Sequence, residues 1–448
     1  MTNHKCYENF KKNSNVFSHF FFSILILFSF IGLSGISNII INSRMTLKEI
    51  DGSILEGGGQ IIRLSIALSS LFEQPVKITK IRAGRSNSGL KPQHLAGIHL
   101  VKQMCHAITE GDKVNSCELS FHPKSLKMGK FNLNIDSKTA ASIPLMIQSI
   151  LPVAIFTKHS SDIIMKGGTD VSFAPSMDYV IKILFPIFKK FGIDCNANII
   201  KRGFFPKGGG TVQLTVNPLT GPLNPIIIED FGKHPNIKGT ILISGPPHLS
   251  QKNQIAKELY NAITKKLNKF GYQKVNIDID VKDSLSPGGS IVLISENDKC
   301  LIGSSTLYDF KKSTVSNVTD EACNKLIKEL NSKSCVDAYA MDNIIIFMAL
   351  ANGKSQIKCR EITLHTKTAI YIVEEFTNVR FEITPTNDGL MKVTCEGLAL
   401  SFLPMVYPGE IKCSGFSLPS GLGTWCFFTT VEAHALSLIR SLTAVGAA

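Results

Sequence analysis

Asp51-Gly-Ser-Ile-Leu-Glu56-Gly-Gly-Gly-Gln60 reads as a short strand running into a triple-glycine turn, and Ile61 to Phe72 follows with helical apolar spacing and Arg63 on its first turn. Glycines in such a turn let backbone N–H groups approach an anion at a helix N-terminus. Glu56 beside them suits a divalent cation whose shell is completed by phosphate oxygens. A second run, Arg202-Gly-Phe-Phe-Pro-Lys207-Gly-Gly-Gly210, leads into a strand over Thr211 to Val216 and hints at an internal repeat of strands followed by helices. Neither run is a Walker loop. The one Gly-Lys-Ser triplet, at 353–355, has Met348 where the earlier glycine is required.

Downstream of the first turn, a β-branched strand over Val76 to Ile81 ends in Arg82-Ala-Gly-Arg85-Ser-Asn-Ser-Gly-Leu-Lys91-Pro-Gln93-His94. Two arginines and a lysine on a loop of small residues form a surface for phosphate oxygens, because guanidinium forks pair with them in two places. The helix from Pro92 to His106 carries an apolar stripe, and a strand pair is predicted at Cys117 to Phe121 and Phe131 to Ile135. Thr139 to Phe156 reads as a helix apolar on every side except at Gln148, an amide that needs partners if buried. Ala174-Pro175-Ser-Met-Asp178 opens a further amphipathic helix running to Phe191.

From 218 to 316 the pattern changes to a small α/β piece with a lysine-rich helix, read as an inserted domain. The main domain then resumes with a helix over Thr319 to Asn331. Cys335-Val-Asp337-Ala-Tyr339-Ala-Met-Asp342-Asn343 opens the next helix, its polar residues one turn apart ahead of a wholly apolar run, so that a polar end faces a pocket. Glu361-Ile-Thr-Leu-His365-Thr-Lys-Thr-Ala369 is a β-like run that breaks on a histidine among hydroxyls. Imidazole is the side chain whose ordinary pKa lies near neutrality, so it can act as a neutral nucleophile and later as a leaving group.

The chain of 448 residues is 44% hydrophobic and 19% charged, with a formal net charge of +13. That composition is globular, and the charge favours an acidic partner such as RNA or nucleotide. Eleven scattered cysteines without a Cys-x-x-Cys pair point to neither a zinc site nor a disulfide scaffold. The ends differ from the middle. Residues 17–41 are apolar and long enough for a membrane anchor, against which stands translation starting at Met45 with 1–44 as an extension. The tail at 399–448 is poor in lysine and holds the sole tryptophan, Trp425.

EGGGQIIRLS, KIRAGRSNSGLKPQHLAGIHLVK, MKGGTDVSFAPSMDY, RGFFPKGGG, DAYAMDNIIIFMALANG and ITLHTKTAI, in this order, resemble the RNA 3′-terminal phosphate cyclases from about Leu47 to Leu398. The resemblance implies an α+β fold: a main domain of three repeated units at 45–217 and 317–398, each a four-stranded sheet with two helices, akin to the C-terminal domain of a translation initiation factor. A smaller α/β domain is inserted. It implies that His365 becomes adenylated by ATP with magnesium or manganese, and that an RNA 3′-phosphate end is then closed to a 2′,3′-cyclic phosphate. Gln148, Pro175, Tyr339, Asp342 and Asn343 resemble the nucleotide-binding set, and Glu56 the metal ligand. Arg63, Arg82, Arg85, Gln93 and His94 are the expected phosphate and RNA-end contacts. The chain departs from the usual pattern at Asn343 (glutamine), Lys91 (arginine) and Asn87-Ser88 (Thr-Pro). An RNA-end enzyme is expected in the nucleus or cytoplasm, without a stable protein partner and at a membrane only if 17–41 is an anchor. The rival reading is a non-catalytic nucleolar relative acting as a scaffold in ribosomal RNA processing. Retention of His365 argues against it.

Overall fold

The computed structural model describes residues 46–126, 130–233 and 236–400; the apolar stretch at 17–41 and nearly all of the tail lie outside the described residues. Among the described residues no helix is long and apolar enough to cross a membrane. The described residues form a mixed α+β protein with four four-stranded sheets.

The first sheet holds β1 (Lys48–Asp51), β2 (Val76–Thr79), β3 (Ile108–Glu110) and β4 (Leu119–His122) in the order β1-β2-β4-β3. β1 and β2 are parallel and are joined by α1 (Gly59–Leu71), while α2 (Pro92–Cys105) joins β2 to β3. The second sheet, β5 (Phe131–Asp136), β6 (Ser161–Gly167), β7 (Cys195–Lys201) and β8 (Gly210–Val216), has the order β5-β6-β8-β7. Its parallel pair β5 and β6 is joined by α3 (Ile143–Ala154), buried at every position but Gln148. The helical segment α4 (177–190) precedes β7 and includes a π-helical turn, Val180–Leu184. The two strands expected to pair after α2 therefore fall in different sheets. Leu119–His122 closes the first and Phe131–Asp136 opens the second, because β4 already has β2 and β3 on its two edges.

β9 (Ile227–Ile228) begins the third such sheet and is interrupted by another piece of structure before the sheet is completed. That piece is β10 (Asn236–Gly245), α5 (Lys252–Lys269), β11 (Val275–Asp283), β12 (Gly288–Glu296) and β13 (Leu301–Tyr308), with sheet order β11-β10-β12-β13. α6 (Val315–Ser332) follows. The sequence reading assigned this helix to the resumed main domain, but it packs on β12, β13 and α5. Its amphipathic stripe specified a buried face without specifying which sheet would cover it. α7 (Ala338–Leu350), β14 (Lys354–Cys359), α8 (Leu364–Phe376), β15 (Phe381–Pro385) and β16 (Met391–Glu396) complete the third sheet in the order β15-β16-β14-β9. Its parallel pair is β9 and β14, so it follows the same strand-helix path as the first two, apart from the interruption.

Helices α1, α3, α7 and α8 pack against one another. Ring contacts knit α4 to α7, with Phe188 and Phe347 centroids 4.9 Å apart. α7 starts on Asp337, whose carboxylate accepts from the backbone N–H of Tyr339 (3.1 Å) and Ala340 (3.0 Å). The same carboxylate accepts the Tyr179 hydroxyl at 2.6 Å and the Gly303 N–H of β13 at 2.9 Å, tying the interrupting piece to the head of α7. A second buried tie runs from Arg202 to both oxygens of Asp178 (2.7 and 3.1 Å) and to Asp170 (3.4 Å), where Ser290 of β12 also donates (2.8 Å).

Candidate active site

His365 does not end a strand. Thr363 caps α8 by accepting from the Thr366 N–H (3.1 Å), and this cap starts the helix one residue before the histidine. β-branched residues at 362 and 363 gave the run its strand character, but the cap overrides it. His365 thus sits on the first turn of α8, next to the first turn of α1. The Glu56 N–H donates to Thr368 Oγ1 (3.2 Å), which fixes the glycine turn against α8.

The His365 imidazole is solvent-exposed on one side and meets Gln60 Oε1 through Nδ1 at 3.0 Å. Burial of the ring lowers its pKa, opposed by the nearby charge of Glu56 and assisted by Arg63 and Arg85. The shift favours the uncharged ring. Gln60 Nε2 donates to Asp342 Oδ2 (3.3 Å). Asp342 Oδ1 accepts from Asn343 Nδ2 (2.8 Å), and Asn343 Oδ1 accepts from Gln148 Nε2 (2.7 Å). Burial raises the Asp342 carboxyl to about 7, against the charge of Arg63 and these donated hydrogen bonds. Gln60, Arg63, Gln148, Asp342 and Asn343 are the polar lining of a recess between α1, α3, α4 and α7 that is otherwise apolar. Of the five residues expected to bind nucleotide, three meet here. Tyr339 stands nearby, 47% exposed, its ring edge-on to Tyr179 (6.3 Å) and covered on one side by Lys325 Nζ at 5.6 Å. Pro175 lies in the loop before α4 and joins none of these contacts.

On the other side of Gln60, the glycine turn meets the basic loop. Arg85 Nη2 donates to Glu56 Oε1 (2.5 Å) and to the Glu56 carbonyl (2.8 Å). His94 is 2% exposed; its Nδ1 accepts from the Lys91 N–H (3.0 Å), so its single proton is on Nε2. Burial and the charges of Arg63, Arg82 and Lys91 push the His94 pKa down to about 3. Of the buried polar atoms without a hydrogen-bond partner among the described residues, four belong to the charged and histidine side chains gathered here: Glu56 Oε2, Arg63 Nε, Arg82 Nε and His94 Nε2. Leaving such atoms unpaired costs about 1–3 kcal/mol each. Three are donors, and the fourth is a carboxylate oxygen. A Cβ on Gly59 would lie 2.5 Å from His94 Nε2 and 2.8 Å from Arg63 Nη1, so the glycine keeps this space open. Gln93, on the first turn of α2, takes part in none of these contacts. Lys91 is committed to its own loop, donating to the Ser88 carbonyl (2.7 Å) and Asn115 Oδ1 (2.8 Å).

Among the described residues no group of three or more His, Cys, Asp or Glu side chains could hold a metal ion. Glu56 Oε2 is a single available carboxylate oxygen, so a cation here would draw the rest of its shell from a ligand or water. Sequence reasoning passed over Gln60 and Lys325. The clue to Gln60 was a polar residue directly after the third glycine, where an apolar one would suit the helix interior. Nothing local marked Lys325, whose neighbour Tyr339 is on another helix.

A family model for RNA 3′-terminal phosphate cyclase matches residues 54–383. A probable RNA 3′-terminal phosphate cyclase of Dictyostelium discoideum is 40% identical over 362 residues, covering 78% of this chain and 83% of that protein. The cyclase of Pyrococcus furiosus is 38% identical over 335 residues (75% and 94%), and that of Drosophila melanogaster 34% over 359 residues (79% and 97%). The matched span contains both the glycine turn and His365, and on this similarity the chain belongs to the RNA 3′-terminal phosphate cyclase family.

Proposed function

We propose that this protein converts an RNA 3′-terminal phosphate to a 2′,3′-cyclic phosphodiester at the expense of ATP, with His365 as the covalent catalyst. The observation that carries the reading is the half-open imidazole of His365, held at Nδ1 by Gln60 and set among Glu56, Arg63 and Arg85. His365 Nε2 attacks the α-phosphorus of ATP, and the bond to the β-phosphate oxygen breaks to release pyrophosphate. An oxygen of the RNA 3′-phosphate then displaces the histidine, taking AMP into an anhydride. Finally the 2′-oxygen attacks the terminal phosphorus, its proton passes to solvent, and AMP leaves. Activation is needed because a phosphate dianion offers the hydroxyl no good leaving group.

Gln148, Asp342 and Asn343 supply polar groups for the nucleotide, and the exposed ring of Tyr339 supplies a stacking face. Pro175 belongs to this set by resemblance alone. The three unpaired donors of Arg63, Arg82 and His94 suit phosphate oxygens, and the Arg85 guanidinium lies on the same side. In the same reading Glu56 would hold Mg²⁺ or Mn²⁺, which would supply charge neutralisation for the triphosphate. Gln93 contributes only if RNA reaches the first turn of α2. The three sheets of like strand order are read as copies of one repeated unit, with the inserted domain, β10 through α6, interrupting the third between β9 and α7. An RNA-end substrate implies work in the nucleus or cytoplasm.

The test is an RNA with a 3′-phosphate incubated with protein and ATP. Wild type is expected to make its end resistant to phosphatase, in a reaction that needs ATP and is lost in His365→Ala. A folded wild type that binds this RNA but leaves its end phosphatase-sensitive would favour the scaffold reading.

A further inference from the structure

We propose that Gln60 is a positioning residue that locks His365 in the tautomer with its proton on Nδ1, using the Asp342 carboxylate as the fixed end of the lock. The inference rests on the reading of His365 as the nucleophile and says how its attacking nitrogen is kept available. Gln60 is 6% exposed on the first turn of α1, so its amide has the protein for partners. One end lies 3.3 Å from Asp342 Oδ2 and the other 3.0 Å from His365 Nδ1. Above about pH 7 the Asp342 carboxyl is ionised and only accepts hydrogen bonds, so the amide must turn its NH₂ to it. Its carbonyl then faces His365. A carbonyl also only accepts, so Nδ1 must donate, and a neutral imidazole has a single proton to give. Nε2 is left with its lone pair and has no protein partner among the described residues.

The far end of the chain is fixed in the same sense. Asp342 Oδ1 accepts from Asn343, whose own oxygen accepts from Gln148. Each hydrogen bond that links the series His365, Gln60, Asp342, Asn343, Gln148 runs toward Asp342, and Asn343 Nδ2 is held in that orientation by also donating to the Tyr339 carbonyl (2.7 Å). Reversing the Gln60 amide would set its oxygen against a carboxylate oxygen. The recess residues thereby communicate with the histidine by hydrogen-bond polarity, with no need for Asp342 to touch the ring.

The test is the ¹⁵N spectrum of histidine-labelled protein at pH 8 without nucleotide, the His365 signals being identified by their loss in His365→Ala. Wild type should show a protonated Nδ1 and an unprotonated Nε2. Asp342→Asn keeps the shape but can present its NH₂ to the Gln60 oxygen. The Gln60 amide then turns, donates to Nδ1, and the proton moves to Nε2. Gln60→Met fills the volume without a polar group and should give a mixture of tautomers, with adenylylation slowed about 10²- to 10⁴-fold, the scale of a wrongly held imidazole. A wild type protonated on Nε2, or a tautomer unchanged in both variants, would overturn the lock. If the tautomers behave as stated while wild type takes no adenylyl group, the lock is supported and the nucleophile reading fails instead.

Discussion

Replacing Asp342 by asparagine should stabilise the fold at alkaline pH even though it removes a residue of the candidate site. Burial holds the Asp342 carboxyl at about 7 against an ordinary 3.8. Between those values the folded protein keeps a proton that the unfolded chain has released. Folding stability contributed at this site is thus complete below about pH 4 and falls by about 1.4 kcal/mol for each pH unit up to about 7. The full difference is about 4 kcal/mol, an upper figure because a buried site relaxes when it ionises. The asparagine amide has nothing to ionise. The assay is urea unfolding of wild type and Asp342→Asn at pH 5 and pH 8. The variant's advantage should be larger at pH 8 by about 2–3 kcal/mol, since most of the titration lies between the two conditions. An advantage that is the same at both pH values, or a wild type that gains on the variant as pH rises, would refute the argument that Asp342 is ionised at a cost.

Two other substitutions probe the supports of the site. Gly59→Ala drives a Cβ into His94 Nε2 and Arg63 Nη1, and should cost about 1–3 kcal/mol of stability. It should also weaken binding of RNA bearing a 3′-phosphate more than binding of the same RNA with a 3′-hydroxyl, measured by fluorescence anisotropy at fixed salt. Tyr179→Phe removes the 2.6 Å hydrogen bond to Asp337 and should cost about 1.5–3 kcal/mol at pH 8 by chemical denaturation. Burial holds the Asp337 carboxyl at about 6, and the Tyr179 bond favours its ionised form. The loss should therefore shrink at pH 5, where Asp337 holds a proton.

The parts of the fold that are local in sequence were legible: the glycine turn feeding α1, the basic loop before α2, the buried helix α3 and the polar head of α7. What escaped was of two kinds. The start of α8 depends on one hydroxyl, Thr363, accepting a backbone N–H three residues on, a signal masked by the β-branched run in which it lies. The role of Gln60 depends on contacts 282 and 305 residues away in the chain, which no periodicity reports. The same limit explains α6: its stripe told that it packs, while the partner sheet is set by tertiary structure. The site residues taken from resemblance differ in how they are held. Gln148, Asp342 and Asn343 have amides and a carboxylate that satisfy one another, whereas Pro175 and Gln93 have no such reciprocal partner to hold them in the assembly.

The central claim is a covalent bond between His365 and an adenylyl group, and the most direct measurement is the mass of the peptide containing His365 after incubation with ATP and a divalent cation. The account predicts one added AMP on that peptide, stable to base, lost in acid, discharged by RNA with a 3′-phosphate and absent from His365→Ala. An unmodified His365 peptide in folded, ATP-binding protein, or AMP found on a lysine instead, would contradict it.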